Sequence, residues 1–275
     1  MARVGYRDCV VSFVDVLGFK SLLNSHKEPH EISRIIRKVR DALNNNHQSH
    51  SISDPKGLRS SKAFGFSLSD AVVRIRPYDT EFRDGALFYE ILDLMHAQGQ
   101  LLFDGIIVRG AVTVGQAYAH RSDDMAFGPA VVEAYQWEST RAVYPRIVVT
   151  ERALQAYRDD KRLRADSERS ETMNLLKQGD DGLHFIDYLN KMSTEFDHYG
   201  SYLEMLQKHK EVIEKNLSEQ EKGSPVWQKY SWMKIQHNRI VRRLSLSAKN
   251  DASRQAFYEE FETEMEPFVR RLRVV

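Results

Sequence analysis

Two aspartates, Asp15 and Asp70, stand in sequence settings that suit metal and phosphate chemistry. Asp15 ends the apolar, β-branched run Val10-Val11-Ser12-Phe13-Val14, and a glycine and an amphipathic segment follow it. This pattern is typical of a buried strand that leads into a helix, and we expect the helix to begin at Val16. A carboxylate at such a strand end, beside the first N–H groups of a helix, can hold a cation together with phosphates. The alternative is that Asp15 only caps the helix.

Asp70 follows Ser69 between two apolar segments, residues 62–68 and 71–75. These segments predict a tight β-hairpin with the aspartate at its tip. If this hairpin lies beside the first strand, Asp15 and Asp70 come to one edge of the sheet. Facing carboxylates repel each other unless divalent cations lie between them. A pair of cations about 3.5–4 Å apart can activate an attacking hydroxyl and neutralise a leaving phosphate.

The composition excludes several classes of protein. The chain has 275 residues, of which 41% are hydrophobic and 29% charged, as expected for an ordinary soluble globular protein. Its net charge of +1 provides no basic field for nucleic acid. The single cysteine, Cys9, excludes an intramolecular disulfide and a cysteine-based zinc cluster. With neither a signal peptide nor an apolar run near ~18 residues, we expect a cytoplasmic protein without a membrane partner.

Hydrophobic periodicity divides the chain at about residue 155. Residues 1–155 predict a hairpin-rich α+β domain of order β-α-ββ-α-ββ-α-β, with helices packed on a sheet. Within it, residues 106–119 predict a strand pair, and Gly128-Pro129 opens a helix over 130–141. Residues 156–275 predict an extension with a strand at 183–189 and helices at 196–222, 227–246 and 257–274. We expect this extension to pack on the first domain or on a second copy.

Five short motifs occur in the order in which the catalytic domain of class III nucleotidyl cyclases carries them. They are FVDVLGF at 13–19, SDA at 69–71, VRGAVTVG at 108–115, GPAV through ES at 128–139, and PRIVVT at 145–150. Residues 8–150 therefore resemble that family, which implies its ferredoxin-like sheet. The resemblance implies that Asp15 and Asp70 bind two Mg²⁺ or Mn²⁺ ions while a ribose 3′-hydroxyl attacks the α-phosphate, giving a 3′,5′-cyclic nucleotide and pyrophosphate. It also implies a head-to-tail homodimer with composite active sites.

The residues that recognise a purine in this family are absent. Members that use adenine carry a lysine on the first hairpin strand and an aspartate before the glycine of the fourth helix, where this chain has Phe66 and Met125. Loss of this pair, with both metal aspartates kept, resembles the bacterial pyrimidine cyclases of the Pycsar anti-phage system. These share the start at residues 13–20, the serine-aspartate tip, and a helix similar to the one with Trp232 and His237-Asn238. The resemblance implies UTP or CTP as substrate, with UTP favoured, and an effector that the cyclic product activates.

The asparagine and arginine of the family's fourth helix fall on Val132 and Gln136. These positions share a helix face, but neither side chain carries charge to stabilise a transition state. We expect Arg109, or Arg141 one turn beyond Gln136, to substitute if catalysis is retained. For Arg109 the alternative is a cross-strand ion pair. Gln136 is a candidate nucleotide-binding residue.

Further candidate contacts surround the two aspartates. Val16 offers only its backbone carbonyl to a metal, and the triphosphate is expected at the backbone N–H groups of the next residues and at one ammonium: Leu17, Gly18, Phe19 and Lys20. A single-ring base suits a narrow aromatic pocket, for which the candidates are Phe64, Phe66 and Tyr118. The alternatives are a solvated surface role for Lys20 and a core role for Phe66 and Tyr118.

Two other functions are compatible with the sequence. The first is a catalytically degenerate cyclase fold that acts as a nucleotide sensor or dimerisation module, motivated by Val132 and Gln136. Against it, a pure binding module has little reason to keep two carboxylates at one repulsive edge. The second is a cyclase that uses ATP or GTP.

Overall fold

The computed structural model describes residues 5–24, 28–44, 61–120, 124–165, 171–250 and 275. The chain divides into two compact units, one of Met1–Leu101 with Ile106–Asp187 and one of Leu102–Gly105 with Tyr188–Val275. The division expected at residue 155 falls inside a helix of the first unit, Glu151–Asp159. Among the helices of these described ranges, none is both long and apolar enough to span a bilayer.

The first unit combines one sheet with helices. Its strands are β1 (Arg7–Val16), β2 (Phe64–Leu68), β3 (Ala71–Pro77), β4 (Val108–His120), β5 (Met125–Phe127), β6 (Ile147–Val149), β7 (Leu176–Gln178) and β8 (His184–Ile186). Its helices are α1 (Phe19–Asn24), α2 (Pro29–Leu43), α3 (Ala86–Phe103, which ends in the second unit), α4 (Pro129–Thr140), α5 (Glu151–Asp159) and α6 (Glu171–Asn174). A short 3₁₀ helix covers Lys161–Leu163.

In the described residues the strands form one sheet of order β2-β3-β1-β4-β6-β8-β7, and β5 pairs with the end of β4. β1 is antiparallel to both β3 and β4, whereas β4 and β6 are parallel. The order β2-β3-β1-β4, with helices between β1 and β2 and between β3 and β4, is the ferredoxin-like arrangement. The predicted α+β class is confirmed, and β1 lies in the middle of the sheet.

The two faces of β1 bury different cores, because successive side chains of a strand point to opposite faces. Val11 and Phe13 lie in a hydrophobic cluster with Ala130 and Ala134 of α4. On the other face, Ser12 Oγ donates a hydrogen bond of 2.8 Å to Glu90 Oε1 of α3. The central strand is therefore held between α4 on one side and α3 on the other.

A buried charge network joins β3 to α3. Glu90 accepts hydrogen bonds from Arg74 Nε at 2.8 Å and from Arg76 Nε at 3.0 Å, and Asp93 accepts one from Arg74 Nη2 at 2.7 Å. Burial alone would raise the pKa of Glu90, but Arg74 and Arg76 outweigh it and lower that pKa to about 2. Glu90 is thus a buried carboxylate that stays charged because two arginines bind it.

The prediction of a strand pair over 106–119 is wrong. β4 is continuous from Val108 to His120, and it pairs with β1 without a break from Arg7↔Ala117 to Val16↔Val108. Gly115 lies within this continuous strand, and a Cβ at this position would lie 3.3 Å from the Cβ of Ala130. The glycine therefore permits the close approach of α4 to the sheet.

The region after β6 holds more structure than the sequence pattern predicted. Thr150 is the N-cap of α5, since its hydroxyl accepts a hydrogen bond of 3.1 Å from the Ala153 N–H. The strand predicted at 183–189 is present as β8, and β7 pairs with it. Both strands belong to the sheet that contains β1, so the sheet extends well past residue 155.

The second unit is helical. It contains α7 (Tyr188–Lys191), a 3₁₀ helix at Met192–Thr194, α8 (Tyr199–Glu219) and α9 (Pro225–Asn250). α8 and α9 confirm the predicted helices at 196–222 and 227–246, while the one predicted at 257–274 lies outside the described residues. At the contact of α8 and α9, the buried His209 and His237 rings lie 5.3 Å apart and face each other through Nδ1 atoms 3.2 Å apart.

Candidate functional site

Asp15 is the penultimate residue of the central strand, since β1 ends at Val16. It is the register partner of Arg109 in the β1–β4 ladder. The helix does not begin at Val16 as predicted, because α1 starts at Phe19. Asp15 is therefore three residues before the N-cap position, Gly18, and the capping alternative does not hold.

Asp70 lies beside Asp15, as the hairpin pattern predicted. β2 and β3 form the hairpin, and the turn between them contains Ser69, whose φ of 57° is a left-handed turn conformation. The β1–β3 ladder ends at Val14↔Val72, so the turn comes level with the end of β1. There the side chains of Asp15 and Asp70 are in hydrogen-bonding contact. The two carboxyl groups thus meet at one edge of the sheet.

The environment of Asp15 disfavours its ionised form. The pKa of Asp15 is raised to about 7, first by burial and then by the contact with Asp70 and the negative charges of Asp70 and Glu138, while Arg109 acts in the opposite sense. A nearby positive charge stabilises the ionised form of such a cluster of acidic groups, of which Asp15 and Asp70 are partly buried and Glu138 is buried. The local charge balance therefore suits a bound cation.

Arg109 connects Asp15 to α4. Its Nη2 atom lies 2.7 Å from Glu138 Oε1 and 3.4 Å from Asp15 Oδ2. Its Nη1 atom donates a hydrogen bond of 3.4 Å to the Ala142 carbonyl, just beyond α4. The cross-strand ion pair that was the alternative role for Arg109 is present, and a second, shorter ion pair accompanies it.

Glu138 is a site residue that the sequence reasoning did not single out. It is buried, and it shares the sheet-facing side of α4 with Ala130 and Ala134 at four-residue spacing. That spacing is the signal that could have found it, since a carboxylate on the apolar face of a helix requires a buried positive partner. Arg109 is that partner.

The donor set fits divalent cations that prefer oxygen. Asp15 and Asp70 provide carboxylate oxygens, which are the ligands that Mg²⁺ and Mn²⁺ favour. Within the described ranges there is no group of three or more histidine, cysteine or acidic side chains able to hold a metal. Phosphate oxygens, water and backbone carbonyls such as that of Val16 would have to complete the coordination, as is usual for Mg²⁺ bound with a nucleotide.

The segment after Asp15 differs from the predicted phosphate cradle. The Leu17 N–H donates a hydrogen bond of 2.8 Å to the Ile107 carbonyl, so it is not available to a phosphate. Gly18 is exposed with a φ of 79°, the Phe19 side chain is buried, and Lys20 is exposed. Of these four candidates, Gly18 and Lys20 are the ones that solvent reaches.

The predicted base platform belongs to the core. Phe64 and Phe66 pack in the cluster that contains Phe13, beneath α4. Tyr118 is buried, and its ring centroid lies 4.9 Å from that of Phe127. These contacts correspond to the core role that was the alternative for Phe66 and Tyr118, and neither ring is exposed for stacking on a base.

The fourth helix presents its remaining candidates to solvent. Val132 and Gln136 are both exposed on α4, as expected for residues that share a face. Arg141 is the C-cap residue of α4, and its guanidinium carbon lies 6.0 Å from the Trp137 ring centroid. Neither Gln136 nor Arg141 belongs to the cluster of Asp15, Arg109 and Glu138.

No family model and no curated protein sequence matches the chain. Solved structures do resemble it. The catalytic core of a rhodopsin-guanylyl cyclase with converted specificity, solved with ATPαS, is 16% identical with a TM-score of 0.40 over 55% of this chain and 80% of that one. The monomeric guanylyl cyclase domain of the RhoGC fusion protein from the aquatic fungus Blastocladiella emersonii is 14% identical, with a TM-score of 0.39 over 66% of this chain and 95% of that one.

A class III adenylyl cyclase-like ATP-binding protein from Pseudomonas aeruginosa is 15% identical, with a TM-score of 0.42 over 69% of this chain. The present chain spans 40% of its length. Because the scores of all three structures lie below 0.5, these likenesses assign no activity to the chain.

Proposed function

We propose that this protein is a nucleotidyl cyclase that converts a pyrimidine nucleoside triphosphate, UTP in preference to CTP, into its 3′,5′-cyclic monophosphate and pyrophosphate. The observation that carries the proposal is the contact between Asp15 and Asp70 at one edge of the sheet. A pair of acidic side chains in contact is unfavourable in the absence of cations, so a structural role alone does not account for it. In the proposed cell biology, the product is a second messenger that activates an anti-phage effector.

The reaction joins two atoms of one substrate. The ribose 3′-oxygen bonds to the α-phosphorus, the bond from that phosphorus to the oxygen bridging the β-phosphate breaks, pyrophosphate leaves, and the hydroxyl proton passes to water. Two divalent cations, Mn²⁺ or Mg²⁺, would supply activation of the hydroxyl and charge neutralisation at the leaving group. Asp15 and Asp70 would hold them, with the Val16 carbonyl as a further donor, and Lys20 would bind the phosphates.

The proposed preference for a pyrimidine is supported by two side chains that form no strong hydrogen bond with a base. Phe66 and Met125 stand where adenine-using relatives have a lysine and an aspartate. Phe66 is buried in the core and Met125 is exposed on β5. Phe66 has no hydrogen-bonding atom and Met125 has only a weakly accepting sulfur, so neither can replace the lysine or the aspartate at the edge of a purine. UTP is favoured over CTP by the resemblance alone.

A homodimer is part of the proposal, and exposed apolar side chains around β5 and α4 support it. Five of these are at least two-fifths exposed: Tyr6, Met125, Phe127, Val132 and Tyr135. The Tyr6 and Phe127 rings are 6.0 Å apart, so at least these two form a continuous apolar surface. Exposed apolar patches of this kind mark protein interfaces.

The test is turnover of four substrates by the purified full chain. With Mn²⁺, we expect UTP to yield pyrophosphate and cyclic UMP, identified by mass spectrometry, and to outcompete CTP, ATP and GTP in an equimolar mixture. Asp70→Ala should abolish product while circular dichroism shows an unchanged fold. Preference for ATP or GTP would replace the pyrimidine assignment by a purine cyclase.

A nucleotide sensor is the second candidate function. It is favoured by the exposed, uncharged Val132 and Gln136 at the positions of the family's helix asparagine and arginine. Nucleotide binding by calorimetry without turnover of any of the four triphosphates would establish the sensor and overturn the enzyme. Arg109 can replace the helix arginine only if its guanidinium leaves Glu138, 2.7 Å away.

A further inference from the structure

The Arg109 guanidinium lies between two carboxylates of unequal distance. Its Nη2 atom is 2.7 Å from Glu138 and 3.4 Å from Asp15, and Nη1 bonds to the Ala142 carbonyl on the same side as Glu138. Two of its three contacts therefore fix Arg109 toward α4. Only the longest ion-pair contact reaches the carboxylate that faces Asp70.

This asymmetry matters because Asp15 has two competing partners. A guanidinium in close, bidentate contact would satisfy Asp15 and occupy its oxygens. A divalent cation needs the same oxygens. At 3.4 Å, Arg109 retains part of the attraction without such a contact, and the nearer negative charge of Glu138 offsets much of its field at Asp15.

We propose that Glu138 is a positioning residue that holds Arg109 away from Asp15 and thereby keeps the Asp15 carboxylate available to a divalent cation. The inference rests on the proposed function, since it concerns the same cation site. Glu138 itself touches neither substrate nor metal; it acts through Arg109. The buried position of Glu138 on α4 suits this role, because water cannot weaken its attraction for the guanidinium.

The first experiment measures Mn²⁺ binding rather than activity. The full chain is titrated with Mn²⁺ in the presence of a non-hydrolysable UTP analogue, with free Mn²⁺ followed by electron paramagnetic resonance. We expect Glu138→Gln to weaken Mn²⁺ binding about tenfold, because Arg109 would then contact Asp15 and compete with the cation. An opposite charge within a few ångströms changes the equilibrium between the charged and neutral forms of a carboxylate by about that factor or more. Glu138→Asp, which keeps the charge, should recover most of the affinity.

Glu133→Gln is the matched control. Glu133 is on the same helix and forms an ion pair of 3.2 Å with Arg152, whose side chain is largely exposed. This variant removes the same charge from α4 away from the site, and we expect Mn²⁺ affinity within about twofold of wild type. An equal loss in both variants would mean that the helix charge matters and the position does not, which would overturn the proposal.

The second experiment locates the guanidinium. In a crystal structure of Glu138→Gln without metal, Arg109 should have moved into bidentate contact with Asp15; Arg109 unmoved would overturn the proposal. If that variant does not fold, wild type with Mn²⁺ and the UTP analogue decides, because Arg109 should then still contact Glu138. Arg109 found on the nucleotide instead would overturn the proposal and identify a catalytic arginine.

The titration separates failure of this proposal from failure of the proposed function. Absence of any Mn²⁺ binding by wild type would contradict the proposed function itself. Mn²⁺ binding by wild type with an equal affinity in Glu138→Gln would contradict only the role of Glu138.

Discussion

Arg109 is the register partner of Asp15, and its Nη2 atom lies 3.4 Å from Asp15 Oδ2 across the β1–β4 ladder. The same carboxyl group contacts Asp70. Arg109 thus lies within ion-pair distance of two acidic groups, Asp15 and the nearer Glu138. The acidic side chains of the site outnumber this arginine, and without a bound metal we expect their repulsion to lower the stability of the folded protein.

Removing one of the two aspartates should stabilise the metal-free protein. Because Asp15 has a raised pKa, its ionised form opposes folding above the ordinary pKa of an aspartate. We expect Asp70→Asn to increase the free energy of unfolding by about 0.5–2 kcal/mol, as is common where function holds like charges together. For a chain of this size, about 1 kcal/mol corresponds to a rise of roughly 2–4 °C in Tm.

The same measurement with added Mn²⁺ provides the control. Mn²⁺ should raise the Tm of wild type by binding the folded state and should leave that of Asp70→Asn nearly unchanged. A variant less stable than wild type in the absence of metal would mean that the Asp15–Asp70 contact is a structural hydrogen bond rather than a repulsive pair.

Glu90 should matter more for stability than any exposed acidic residue. It is buried and binds Arg74, Arg76 and Ser12. Glu90→Gln would leave both arginines without their main countercharge, and we expect a loss of about 3–5 kcal/mol in the free energy of unfolding, measured with urea. Glu133→Gln, at the ion pair with the largely exposed Arg152, should lose at most about 1 kcal/mol. Similar losses in the two variants would be inconsistent with a buried network.

The acid sensitivity of the helical unit should depend on two histidines. Burial and the neighbouring His237 hold the pKa of His209 well below 6.5, and burial and Lys210 lower the pKa of His237 to about 4. Below pH 6.5 the unfolded chain therefore binds protons that the folded unit does not, so stability falls as pH decreases from 6.5 toward 4. Each histidine adds up to about 1.4 kcal/mol per pH unit to that slope.

Replacing one histidine isolates this contribution. The Tyr188 ring meets His209 edge-on, with the ring centroids 6.5 Å apart. We expect His237→Gln to flatten the dependence of the unfolding free energy on pH between 6.5 and 4, followed by the helical circular dichroism signal. An identical slope in the two proteins would exclude protonation of His237 as its cause.

The features that sequence could predict are those with local causes. The strand before Asp15 follows from a run of β-branched residues, and the turn at Asp70 from a polar pair between two apolar segments. The contact of the two aspartates then required only that the hairpin lie beside β1, which it does. α8 and α9 were predictable for the same reason, since helical periodicity is local.

The features that sequence missed depend on pairing between distant segments. The Leu17 N–H is taken by the Ile107 carbonyl, 90 residues later in the chain, and no pattern at Leu17 indicates this. The close approach of Ala130 in α4 to Gly115, within the region predicted as a strand pair, is likewise a contact between distant segments. Glu138 shows only that a buried cation must be near; that the cation is Arg109, beside Asp15, is a property of the β4–α4 contact.

The backbone spacing beside the site should depend on Gly110. A Cβ added there would lie 2.5 Å from the Phe13 carbonyl oxygen and 3.2 Å from the Val14 Cα, and neither atom can move without shifting β1. Gly110→Ala should therefore lower the free energy of unfolding by about 1–3 kcal/mol. It should also weaken Mn²⁺ binding, because the next ladder pair is Asp15 with Arg109.

Gly200→Ala in α8 is the control for Gly110→Ala. No heavy atom lies within 4 Å of its added Cβ, and we expect a change in the free energy of unfolding between zero and a gain of about 1 kcal/mol. If urea denaturation shows Gly110→Ala to be as stable as wild type, β1 and β4 can separate freely at this point, and the tight pairing that holds Asp15 opposite Arg109 is not needed for the fold.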